Sequence, residues 1–174
     1  TSSHWDRMGR GFILFDTSAI TDTDVISSAT FSIDGDGGTD NFNQSGCVVD
    51  SSPTSNTSLS TGDYDQIGTT LYATCLDLGS WTTAAYNDFS LNSTGLAAIS
   101  KTGVSKFGWR LSSDKDNSEP TWASDTSADA SPHSADVAGT SVDPKLVVTH
   151  GEPNLAPTSP TSLWTEGLTD PTNI

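Results

Sequence analysis

The sequence predicts an all-β protein: one antiparallel β-sandwich of jelly-roll-like architecture, with one short helix and a Pro-rich C-terminal tail. Three observations carry that expectation. Short apolar segments recur between clusters of Gly, Pro, Asn, Asp and Ser, which supply turns. Several of these segments alternate apolar and polar residues, the period of a half-buried strand. Glu and Lys, which favour long exposed helices, are scarce, while Thr is abundant and its branched Cβ suits a pleated sheet.

The first segment, GFILFD (residues 11–16), is an unbroken apolar run and is expected to be a central strand. Residues 29–33 (ATFSI) alternate, so one face is buried and the other wet. Residues 46–50, 70–76, 86–91, 106–111 and 145–149 complete the set of strands. A short helix is expected over residues 95–101, capped by Ser93 or Thr94 and ended by Gly103. Residues 112–142 are polar and almost free of aliphatics. They are expected to lie outside the core as a surface excursion around Trp122. The domain spans residues 1–152. Residues 153–174 form a Pro/Thr/Ser-rich tail or linker, expected to dock on its own domain or on a neighbour through Leu163, Trp164 and Leu168.

At 174 residues the chain has room for one core rather than two. Leu, Ile, Val and Phe make up only 33 residues and Ser plus Thr 52, so the core must be small and the loops extensive. The net charge of −15 excludes ordinary nucleic-acid binding, which needs a basic surface to displace phosphate counterions. It also disfavours anionic membrane surfaces. No apolar run approaches a membrane span. With no signal peptide visible and no Met at its start, the chain reads as a processed or excised piece of a longer protein.

An acidic, Ser/Thr-rich, Lys-poor chain points to an extracellular, cell-surface or virion-surface setting, where disulfides persist. Cys47 and Cys75 are therefore expected to be bridged, a link worth about 3 kcal/mol in the chain-entropy treatment; two buried thiols are the alternative. Asn43, Asn56 and Asn92 begin sequons that permit glycosylation in a host with the machinery.

Four pieces taken together resemble a known family: RGFILFDTSAI with ISSATFSI, Trp81 with YNDFSLNSTGLAAI, KFGWRLSSDKD, and DPKLVVTH. In this order and spacing, over residues 10–150, they resemble the DNRLRE-type domain. That is a β-sandwich module related to carbohydrate-binding modules and found in extracellular proteins. The resemblance implies a jelly-roll-like sandwich, an extracellular place and no catalysis, with RGFILFD and PKLVVTH as paired core strands. The family usually begins with a further strand. Here only residues 1–9 precede GFILFD, so that strand is expected to be cut away or supplied by another chain.

Several residue groups are candidates for chemistry. Asp34, Asp36 and Asp40 lie close together in a Gly-rich stretch, a pattern suited to the hard oxygen ligands of structural Ca²⁺; an acidic β-turn is the alternative. Asp114, Asp116 and Glu119 form a second candidate cation cluster. Trp122 and Tyr64 are the aromatic residues expected in loops, where a flat face can stack on a sugar ring. Trp109 and Trp81 are expected to pack inside. Arg110 and Lys106 alternate outward from their strand and are candidates to meet an acidic sugar; salt bridges to nearby Asp are the competing role. Catalysis has little support: HExxH and GxSxG are absent, and Ser131, His133 and Asp136 are adjacent in sequence without that implying a triad.

Two functions follow. One is a non-catalytic structural or adhesive module of a larger surface, filament or virion assembly, joined to copies of itself or to neighbouring domains by strand or tail exchange. The other is a carbohydrate-binding module acting on a polysaccharide.

Overall fold

The computed structural model describes residues 7–154; Trp5, Leu163, Trp164 and Leu168, and with them the docking expectation for the tail, lie outside the described residues. Nine strands are present among the described residues: β1 (Gly11–Asp16), β2 (Val25–Asp40), β3 (Ser45–Ser51), β4 (Ile67–Leu71), β5 (Leu76–Asp77), β6 (Tyr86–Ser90), β7 (Val104–Leu111), β8 (Ala128–Pro132) and β9 (Lys145–Gly151). They form two antiparallel sheets packed as a sandwich, as the alternating segments predict. The first sheet runs β1-β7-β3-β4, with β5 also on β3. The second is built on β2. Thr30, Phe31 and Ser32 pair with β6 and with β9 at once, so those two strands flank β2, and β8 pairs with its C-terminal half.

The core is aromatic because aliphatic residues are few. Phe31 and Phe107 are fully buried and stacked across the two sheets at 5.3 Å, and Phe15 meets both rings edge-on at 5.9 Å. Trp109 packs on Phe89 and on Trp81 as expected, and the Trp81 indole N–H donates to the Gly37 carbonyl at 3.0 Å. Offset and edge-on ring pairs of this kind add to the burial of their area.

Several expectations are corrected. Among the described residues GFILFD is an edge strand, not a central one, and it pairs with β7 rather than with PKLVVTH, whose strand β9 pairs with β2 in the other sheet. It is apolar throughout because both faces of the first sheet are covered. A second cluster of Cys47, Val49 and Ile67, with Phe12, Leu71 and Cys75 against it, lies on the face away from the main core. Residues 52–66 fold back toward that face: the Pro53 carbonyl accepts from Lys106 Nζ at 3.1 Å and the Tyr64 carbonyl from Arg10 Nη1 at 2.9 Å. The strand expected over 70–76 is split into β4 and β5, with the Cys47–Cys75 disulfide lying where it breaks. The polar stretch 112–142 contains β8, and Ala130 reaches the main core.

Among the described residues there are two short α-helices where one was expected. The first, α1 (Ser93–Ala97), is capped by Asn92, whose Oδ1 accepts from the Gly95 N–H at 2.9 Å. Asn92 begins one of the sequons, and its Nδ2 donates to the Leu71 carbonyl at 2.9 Å. The second, α2 (Ser112–Lys115), follows β7 directly. No helix among the described residues is long and apolar enough to cross a membrane.

Candidate functional site

The fold gathers some of the sequence candidates and disperses others: Arg110, Asp114 and Tyr64 meet at Arg10, and Asp34 and Asp36 at His133. Asp34, Asp36 and Asp40 sit on β2 itself, not in a turn. Asp34 is buried and meets His133 Nδ1 at 2.9 Å, while the exposed Asp36 lies 3.4 Å from Nε2 of the same ring. His133 thus pins the end of β8 to β2. Asp40 turns back on its own chain and accepts from the Phe42 and Gln44 N–H groups at 3.2 and 3.0 Å.

The second acidic set is also divided. Asp116 pairs with its neighbour Lys115 at the surface. Asp114 is engaged by two arginines, each through two bonds. Arg110 donates from Nε at 2.6 Å and Nη2 at 2.9 Å, and Arg10 from Nε at 2.9 Å and Nη2 at 2.8 Å. Burial pushes the Asp114 carboxyl up, but the Arg10 and then the Arg110 hydrogen bonds outweigh it and hold the group down to about 2. Among the described residues no group of three or more His, Cys, Asp or Glu side chains is placed to hold a metal ion, so the calcium expectation finds no ligand set there.

Arg110 is the clearest correction among the sugar candidates. It points away from the main core, as the alternation requires, but that face is covered and the residue is only 6% exposed. Its remaining N–H group donates to the Ile67 and Gly68 carbonyls at 3.1 and 2.9 Å. Tyr64 is exposed on its outer side, with Arg10 seated 4.2 Å over its ring. Trp122 is exposed, as expected for an aromatic in the polar excursion. Ser131, His133 and Asp136 take separate partners: the Ser131 hydroxyl donates to Asp129 at 3.1 Å, and the Asp136 N–H to the Ser134 hydroxyl at 3.3 Å.

Two further features emerge. The first is a cleft of about 410 Å³ at one end of the sandwich. Met8, Phe42 and Leu111 give it an apolar side, and Gln44, Asn117 and Glu119 a polar one. Gln44 is held in place by the Ser112 hydroxyl and the Ser113 N–H, which donate to its Oε1 at 3.2 and 3.0 Å. Asn117 adopts φ 49°, a left-handed conformation that Asn tolerates.

The second feature is the free side of β1. Strand β7 occupies one side of it, and among the described residues no strand pairs with the other. Phe12, Ile13, Leu14 and Phe15 are all left half-buried.

No family model, no curated protein and no solved structure matches the chain. The resemblance to the DNRLRE-type domain thus rests on the four sequence pieces alone.

Proposed function

We propose that this domain is a non-catalytic, extracellular structural or adhesive module of a larger assembly, joined to its neighbours through its strands. The observation that carries the reading is the side of β1 on which, among the described residues, no strand pairs, so that backbone N–H and C=O groups of an apolar strand can take a partner. Isolated sandwiches normally blunt such an edge. The Cys47–Cys75 disulfide agrees with an oxidising, extracellular place. The net charge of −15 and the Ser/Thr-rich loops suit a surface that stays solvated between contacts.

The test is negative-stain electron microscopy with light-scattering mass on the native material. Regular assemblies, or a mass above the monomer, support the reading. A monomer at every concentration overturns it.

A second reading, a carbohydrate-binding module, is favoured by the cleft. An apolar floor facing a few amide and carboxyl groups is the chemistry of a shallow sugar site. Exposed Trp122 offers a further stacking surface. A glycan screen of the wild type beside Trp122→Ala tests it: the screen must find a ligand, and loss of affinity in the variant assigns the stacking to Trp122. The two readings are compatible, since adhesive modules can hold glycans.

A further inference from the structure

The strand edges of this sandwich are not equally protected. Strand β4 meets β3 across a bulge between Val49 and Ser51. Strand β6 carries the exposed Asp88. Strand β8 ends in Pro132 and meets β2 across a bulge between Gly35 and Gly37. Strand β9 carries Lys145 and His150 and has a bulge between Ile26 and Ser28. Charges, prolines and bulges are the usual guards against edge pairing. Strand β1 has neither a proline nor a bulge, and its one charge, Asp16, stands at its last position. Its register with β7 is unbroken over six pairs, from Gly11↔Trp109 to Asp16↔Val104, and its centre is four consecutive apolar residues.

The hydrogen-bond phase of β1 follows from its continuation. The Thr17 N–H donates to the Gly103 carbonyl at 3.0 Å, the next pair in the same register. In an antiparallel ladder bonded and non-bonded pairs alternate. Gly11, Ile13 and Phe15 therefore spend their backbone groups on β7, and Phe12, Leu14 and Asp16 aim theirs at the open side.

We infer that β1 pairs, antiparallel and about a two-fold axis, with β1 of a second copy of this chain, Phe12 lying opposite Leu14; this rests on the reading above that the domain is joined to neighbours through its strands. Two arguments select a second copy and this register. Residues directly opposite must share a face, so a self-paired strand can match only odd with odd or even with even positions. Of the registers that obey this, the one centred on Ile13 matches Phe12 with Leu14 on the outer face and sets Gly11 beside Phe15 on the core face, where the missing side chain leaves room for the ring. The register centred on Leu14 would instead place Asp16 against Phe12. Such an interface is isologous and closes as a dimer, so any longer assembly needs another surface. Two chains of −15 repel, so added salt should strengthen the pairing.

The experiment uses the full chain. Sedimentation or light scattering over a dilution series should give a mass twice the monomer's. Leu14→Pro should abolish it, because that N–H faces outward and its loss leaves the β1–β7 bonds intact. Circular dichroism and tryptophan fluorescence check that the variant folds. Independently, Ile13→Cys should crosslink to itself under oxidation. The axial pair is non-hydrogen-bonded, and the roughly 4.5 Å between its Cα atoms suits a disulfide. Leu14→Cys, which would face Phe12, should not. If assembly persists in folded Leu14→Pro and Ile13→Cys stays uncrosslinked, the chains meet elsewhere and only this inference falls. A wild-type monomer at all concentrations removes both this inference and the reading it rests on.

Discussion

Asp114→Asn removes one charge and leaves two arginines facing a neutral amide. The carboxylate accepts four bonds of 2.6 to 2.9 Å from Arg10 and Arg110. The side chains are 6%, 13% and 8% exposed, so the three groups share a nearly dry site. Through them the end of β7, the start of β4, α2 and the residue before β1 are tied together. Breaking a buried pair by removing one partner costs roughly 3–5 kcal/mol, because the charges left behind stay desolvated. That is a large share of the ~5–15 kcal/mol that stabilises a typical domain. Urea unfolding at neutral pH measures it. Arg110→Ala, Asp114→Ala and the double variant form a cycle in which the double loss is smaller than the sum of the singles. The pH dependence has a fixed sign. The folded carboxyl titrates at about 2, below its ordinary value of 3.8, so its contribution is complete above pH 3.8 and is lost as pH falls through about 2. The gap between wild type and Asp114→Asn should therefore hold steady from neutrality down to that range and narrow below it. A loss under about 1 kcal/mol, the level of an exposed ion pair, would refute the reasoning.

Three further outcomes are expected. Replacing Cys47 and Cys75 by Ser should lower stability by about 3–4 kcal/mol, since the bridge spans 28 residues, and the same drop should appear in the wild type melted with reductant. Gly46→Ala should cost about 1–3 kcal/mol in thermal melts, because a Cβ there would lie 2.1 Å from the Trp109 ring and force the core to move. Asn92→Ala should cost about 1 kcal/mol through loss of the α1 cap and the bond to the Leu71 carbonyl; an unchanged melting temperature would show that the cap is dispensable.

Much of the fold was legible in local patterns. Alternation in residues 29–33 and 106–111 marked the faces of β2 and β7, and Phe31, Phe107 and Trp109 are inward as their positions require. An even pair of cysteines in an acidic, Lys-poor chain gave the disulfide. Side chains encode these things because each reports the burial of its own face. Other features were not local. Arg110 reads as an outward cation, yet Ile67, Gly68 and Asp114 of α2 take up its guanidinium. Asp114 reads as one of a run of acids, yet two arginines remote from one another in sequence converge on it. The cleft joins Met8, Phe42 and Asn117 from three distant stretches.

The composition and spacing of this sequence determined a small aromatic core, a two-sheet β architecture and a bridged cysteine pair. Only the tertiary structure decided that GFILFD stands at an edge. An apolar run reports that both faces of a strand are covered. Whether its sides are covered depends on backbone N–H and C=O groups, which are the same in every strand and leave no trace in the choice of side chains.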